Sequence, residues 1–268
     1  MNSPFFTLII PTYNISESIG ATLDSIINQT YKNIEVLLLD SISQDHTCEI
    51  VKEFQKKCSY IHLISEKDQG VYDAMNKGVE LAKGDYLFFM GGDDVFYDTN
   101  TLQQVFNSIN EGDDFIYGNV LFKESKLLYS GKSNLKKLIY DQISICHQAI
   151  FYSKRVFELI GNFNLKYFIH ADYDFNIRCF IDNKLRIKYI DQIIAVFNET
   201  GLSGTKSNAD GFHTELTENC LYSKYLDDYL VNENARLKRQ MNQLRHSKTF
   251  RIGTFLLGPL KLLRKTKK

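Results

Sequence analysis

The sequence has no tryptophan, no Cys-x-x-Cys pair, and no uninterrupted apolar stretch of the roughly 18 to 20 residues that a spanning helix needs. Its five cysteines, Cys48, Cys58, Cys146, Cys179 and Cys220, are scattered and odd in number, which argues against a zinc centre and a disulfide framework. A secretory leader is not expected either: Met1 to Ser3 carry no positive charge, and the apolar run at 5–10 is too short for a leader's core. These absences read as a cytoplasmic protein whose contact with a membrane is peripheral, at the inner face. Net charge is lacking only in sum. From Val231 onward 11 Lys and Arg face the single acid Glu233; the chain holds 32 of each sign, so 21 basic and 31 acidic residues precede that point. An acidic body with a basic tail gives the tail an anionic partner.

What is present is 44% hydrophobic content, ample for a packed core. Apolar runs without polar alternation at 6–10, 34–39, 60–64 and 86–90 predict strands buried on both faces. Segments of helix length lie between them at 16–29, 44–57 and 71–82, with Ser16 as an N-cap and Gly84 just past the third. Strict alternation predicts right-handed crossovers and a mostly parallel, Rossmann-like sheet flanked by helices. Further on, 115–122 and 127–130 read as strands, 154–160 as a short helix ended by Gly161, 171–181 as a longer helix and 186–197 as a strand. Residues 200–208 read as a loop, and the chain is helical from Asp210 onward.

In an open parallel sheet, ligands bind beyond the carboxyl ends of the strands. Those ends are polar here: Pro11-Thr12-Tyr13-Asn14, Asp40, residues 66–70, and Gly91-Gly92-Asp93-Asp94. Adjacent carboxylates straight after a buried strand repel and resist desolvation, and a divalent cation removes both objections. Two hard oxygen ligands suit Mg or Mn bridging a substrate's phosphates, and Gly91 and Gly92 allow close backbone approach. Taken alone, the pair reads first as a solvated Asp-rich turn capping a helix near Thr99. Asp40 is either a turn residue or an acceptor for a nucleobase imide. Tyr13, Asp68, Asn76 and Lys77 are either surface and packing residues or contacts to base, ribose and phosphate.

The combination decides more than the pieces. LIIPTYN (8–14), LLLDSISQDHT (37–47), EKDQGVYDAMNKG (66–78) and AKGDYLFFMGGDD (82–94) resemble, in order and spacing, the inverting family 2 glycosyltransferases of the GT-A fold. ICHQAIFYSKRVFELIGNFN (145–164) and HADYDFNIRCF (170–180) resemble acceptor-side segments of the members that build bacterial polysaccharides. The resemblance spans about residues 5 to 205. It implies that Pro11, Thr12, Tyr13, Asn14, Asp40, Asp68, Asn76, Lys77, Gly92 and Asp93 bind the nucleotide, with Mg or Mn on Asp93 and Asp94. It makes Asp172 the catalytic base, with Ala171 where relatives carry a first acid and Asp174 as the alternative. His147 and Gln148 would meet the acceptor. The loop Gly201-Leu202-Ser203-Gly204 would close over the donor, or be simply a turn.

Three departures stand out: Ser41-Ile42-Ser43 lacks the usual glycine after Asp40, Gly91 replaces an acid two places before Asp93, and the processive signature Gln-x-x-Arg-Trp is missing. One sugar per acceptor is therefore expected, from a UDP-type donor to a saccharide or lipid-linked saccharide. The expected organisation is a GT-A domain at 1–208, with a nucleotide-binding half 1–98 and an acceptor-side half 99–208, and a helical basic tail at 209–268. In the tail, a basic helix at 234–246 precedes an apolar cluster at 250–263, the composition of a segment lying on anionic lipid. A contact with the acidic body or a second copy in a homodimer is the alternative; nucleic acid is not expected. The competing function is an idle glycosyltransferase-like scaffold at the membrane.

Overall fold

The apolar runs of the first half form one parallel layer: β1 (Phe6–Thr12), β2 (Ile34–Asp40), β3 (Ile61–Ser65) and β4 (Tyr86–Phe89), side by side in the order β3-β2-β1-β4. Every residue of β2 and β4 is buried, because both faces are covered and no solvent side remains for polar residues to alternate toward. The crossovers are α1 (Ile19–Ile27), α2 (Thr47–Lys57) and α3 (Val71–Leu81). Helix α1 starts later than expected, with Ser18 rather than Ser16 at its N-cap. The cause lies outside the helix: the Ser16 N–H donates to the Asp45 carboxylate, so the residues before Ser18 form a turn tied to the next loop.

This computed structural model describes residues 6–199 and 209–246, and the chain divides into two compact units, 1–221 and 222–268. The second half of the first unit contributes β5 (Val95–Phe96), α4 (Thr101–Ser108), β6 (Phe115–Phe122), β7 (Leu128–Tyr129), β8 (Ile150–Ser153), α5 (Lys154–Ile160), α6 (Ala171–Ile181) and β9 (Ile187–Phe197). They extend the sheet as β4-β8-β6-β9-β5, with β7 on β6. The Rossmann-like half is parallel as expected, and the other half is mixed. β8 runs antiparallel to β4 and β6, β5 antiparallel to β9, and β6 parallel to β9. The four-residue β8 was hidden from sequence reading by its brevity. Its Phe151 stacks on Phe88 with ring centroids 4.6 Å apart and meets Phe6 edge-on, and burial of such a ring contributes roughly 2 to 3 kcal/mol.

Helix α7 (Phe212–Thr217) closes the first unit by packing Phe212 against Tyr167 and Tyr173, with centroids 5.0 and 5.2 Å away. The second unit is described by one helix, α8 (Ser223–His246), which contains the basic segment 234–246. The loop Gly201-Leu202-Ser203-Gly204 and the apolar cluster 250–263 lie outside the described residues. No described helix is long and apolar enough to cross a membrane.

Strand order places the site. From β1 the chain turns to β2 on one side and later reaches β4 on the other, and such a reversal opens a crevice at the strands' carboxyl ends.

Candidate active site

The parallel register lines up Thr12, Asp40 and Ser65 as direct neighbours at the ends of β1, β2 and β3. The Thr12 hydroxyl donates to Asp40 Oδ1 at 3.3 Å, and the Ser65 hydroxyl to Oδ2 at 2.6 Å. Ser43 adds its N–H at 3.0 Å and its hydroxyl, and Cys48 its thiol. Burial pushes the Asp40 carboxyl up, but donation led by Ser43 and Ser65 outweighs it and holds the group below the usual carboxylate range. The glycine-poor loop keeps its turn at a local cost, since Ile42 stands at φ 54, in the left-handed region. Asn14, at φ 50, accepts from the Gln44 N–H at 2.8 Å and so ties the loop after β1 to the loop after β2. Tyr13 leaves its ring 61% exposed beside that row.

At the end of β4, the Asp94 N–H closes a turn onto the Gly91 carbonyl. Thr22 on α1 pins the turn from below, its hydroxyl 2.9 Å from the Gly92 carbonyl and 2.8 Å from that of Asp94. Asp94 is 1% exposed. Its Oδ2 accepts from Gln148 Nε2 at 2.9 Å and the Gly91 N–H at 3.2 Å, and its Oδ1 from the Asn198 N–H at 2.8 Å. Burial drives the Asp94 carboxyl up to about 6, helped by the Asp93 charge and opposed by Asn198, Gln148 and His147. The Asn198 side chain also holds Asp93, donating to Oδ2 at 2.8 Å.

The two carboxylates converge over Gly91. A β-carbon there would lie 2.6 Å from Asp94 Oδ2 and 2.9 Å from Asp93 Oδ1, so the glycine that replaces an acid is what leaves room for both oxygens. That pocket of hard oxygens fits a divalent cation, and no third His, Cys, Asp or Glu joins it among the described residues.

Asp172 enters from the first turn of α6. Its Oδ1 meets the Tyr72 hydroxyl and the Tyr173 N–H, each at 2.8 Å, and its Oδ2 meets His147 Nδ1 at 2.9 Å. Burial raises this carboxyl, but His147, Tyr72 and the Tyr173 N–H together bring it below the ordinary value. Asp174 instead pairs with Arg178 at 2.9 Å. His147 and Gln148 sit on a 3₁₀ turn (His147–Ala149) just before β8.

A cleft of about 580 Å³ unites most of these groups: Pro11, Thr12, Tyr13, Asp68, Gly92, Asp93, Asp94, His147 and Gln148 all line it. Asp40, Asn76 and Lys77 border a second hollow of about 260 Å³, shared with Asp68. There Lys77 pairs with Glu66, and Asn76 exchanges two hydrogen bonds with the Phe163 main chain, at 3.0 and 2.9 Å. Asn76 is thus committed to joining α3 to the segment before α6. Sequence reading missed Asn198 and Tyr72. Asn198 directly follows β9, so the strand-end rule extended to the second half finds it; Tyr72 sits inside the quoted 66–78 motif without marking itself.

Solved structures with the same architecture define the class. S. aureus TarS, solved with UDP-GlcNAc, matches with a TM-score of 0.63 at 20% identity, over 76% of this chain and 61% of that one. The mannosyltransferase PcManGT from Pyrobaculum calidifontis, solved with GDP-Man and Mn2+, matches with a TM-score of 0.60 at 17% identity, over 96% and 85%. The fold is therefore that of the GT-A glycosyltransferases. A PGL/p-HBAD biosynthesis glycosyltransferase of Mycobacterium tuberculosis is 42% identical over 209 residues, 76% of this chain and 81% of the relative. Residues 7–176 match the sequence model of glycosyl transferase family 2, and the chain belongs to that family.

Proposed function

We propose that this protein is an inverting glycosyltransferase that moves one sugar from a UDP-sugar to a saccharide or lipid-linked saccharide during cell-surface polysaccharide synthesis. The observation that carries the reading is the sharing of one cleft by the convergent Asp93 and Asp94 carboxylates and by His147, the partner of Asp172. Thr12 and Tyr13 flank the nucleobase, and Asp40 anchors that end. Asp93 and Asp94 would hold Mg or Mn against the donor diphosphate, where the cation supplies Lewis-acid stabilisation of the charge developing on the leaving group. The Mn2+ bound by PcManGT supports the cation, and the UDP-GlcNAc bound by TarS supports the carrier. Gly91 and Gly92 admit the phosphates close to the backbone. The Asp172–His147 pair removes the acceptor proton as oxygen attacks the anomeric carbon opposite the leaving group, which inverts that centre. The basic, apolar composition of the tail supports a resting place on anionic lipid at the inner membrane face.

A thermal-shift screen of full-length protein tests this. UDP and UDP-sugars with Mn2+ are expected to raise the melting temperature, since a ligand at 100 times its Kd adds about 2.7 kcal/mol. No shift with any nucleotide sugar, and no sugar released from one, would sink the reading.

A further inference from the structure

We infer that Nε2 of His147 is the atom that takes the proton from the acceptor hydroxyl, and that Asp172 is a positioning residue acting through it. The inference rests on the transferase reading above and assigns roles within its site. Asp172 is held from two sides, by two donors on Oδ1 and by the imidazole on Oδ2. Tyr72 and His147, the side chains that hold it, line the cleft, and Asp172 itself does not. Burial and the Asp172 charge push the Tyr72 hydroxyl well above its usual range, so it remains a donor, shared between Asp172 and the Ile169 carbonyl 2.6 Å away.

A carboxylate that receives a hydroxyl and an amide proton on one oxygen is ionised, and an ionised carboxylate only accepts. The proton between it and His147 therefore sits on Nδ1, and in the neutral ring the lone pair is on Nε2. The His147 side chain lines the cleft and is 18% exposed. The charged and titratable groups around the imidazole are Asp172 on α6, Tyr72 on α3, Cys146 on its own segment and Asp94 after β4.

The proton count closes. The hydroxyl oxygen forms its bond to the anomeric carbon while the bond from that carbon to the phosphate oxygen breaks and its electron pair leaves with the diphosphate. The hydroxyl proton passes to Nε2. The imidazolium is paired with Asp172 and afterwards releases its proton to water. Gln148, next in the chain, is bonded to Asp94, so the 3₁₀ turn holds base and diphosphate site in one rigid setting.

Two measurements on the full chain test this. The first follows sugar release from UDP-GlcNAc, UDP-glucose and GDP-mannose with Mn2+, water being the acceptor. His147→Ala is expected to lower kcat by roughly 100-fold to 10,000-fold, to keep the donor-induced thermal shift, and to recover part of its rate on addition of free imidazole. A kcat within about threefold of wild type, or a loss that imidazole does not repair, overturns the inference while the transferase reading stands. Absence of any donor shift in the wild type sinks the transferase reading, and this inference with it. The second measurement, two-bond 15N–1H spectra of the resting protein, is expected to show a proton on Nδ1 of His147 and none on Nε2. In Asp172→Asn the side-chain carbonyl stays with Tyr72 and Tyr173, the amide turns its N–H toward Nδ1, and the imidazole proton moves to Nε2. An Nε2-protonated ring in the wild type overturns the assignment.

Discussion

Gln148 Nε2 donates to Asp94 Oδ2 across 2.9 Å, joining the turn before β8 to the turn after β4 over 54 residues of sequence. Both partners are buried, and Cys146 Sγ occupies the other end of the Gln148 amide at 2.8 Å. Gln148→Leu keeps the volume and removes the donor. The expected loss is about 1 to 3 kcal/mol at pH 7 by urea denaturation. The loss is expected to shrink at pH 5: with a folded-state value of about 6, raised from 3.8, Asp94 is largely protonated there and relies less on donors. An equal loss at both pH values would show that the bond does not sense the Asp94 charge.

Gly91 is where the two carboxylates meet, so Gly91→Ala is expected to drive Asp93 and Asp94 apart. Overpacking of this kind costs about 1 to 3 kcal/mol. Titration with Mn2+ and UDP is expected to lose most of its thermal shift in the variant. A shift as large as the wild type's would mean that the carboxylates hold their ligand by another geometry.

Asp210 anchors α7 by accepting from the Ile169 and His170 N–H groups and from His170 Nδ1, each at 2.9 Å. Burial raises its carboxyl, but His170 and the three backbone donors bring it below the ordinary 3.8. A depressed folded-state value means that the stabilisation is full above the unfolded value and fades as pH falls through the folded one. Asp210→Asn should therefore be less stable than wild type at pH 7, and the gap should narrow below pH 3.8. Chemical denaturation across that range measures it; a gap independent of pH would assign Asp210 a purely steric role.

Ile42 carries a β-branched side chain at φ 54 and is 47% exposed. The left-handed region costs an L-residue about 1 to 2 kcal/mol, and glycine enters it freely. Ile42→Gly is expected to raise the melting temperature by roughly 2 to 4 °C. A fall would mean that the Ile42 side chain contributes contacts that outweigh its backbone strain.

The first half was legible because its strands are apolar runs buried on both faces, and their ends carry the chemistry. Asp93 and Asp94 were marked by their position at the end of the fourth apolar run, beside the other polar strand ends. Asn198 was not legible: its two bonds, to Asp94 and Asp93, span 104 and 105 residues and depend on β5 pairing with β9, which no local pattern announces. Asn76 was legible as a polar residue in a motif, but not as a main-chain clamp, because the Phe163 backbone that it grips is set by tertiary packing. Asp172 was placed correctly on its helix; its enclosure by Tyr72 and His147, drawn from two distant elements, could not be read from helical spacing.

Tyr72 reaches from α3 to Asp172 on α6, across the boundary between the parallel first half of the sheet and the mixed second half. The two halves are therefore not interchangeable cassettes. A chimera that grafts a foreign second half after residue 98 inherits a Tyr72 hydroxyl that needs an acid to receive it and an Asp94 that needs an amide to satisfy it. Specificity transplants into this scaffold have to carry Asp172, His147 and Gln148 together with the loops they support.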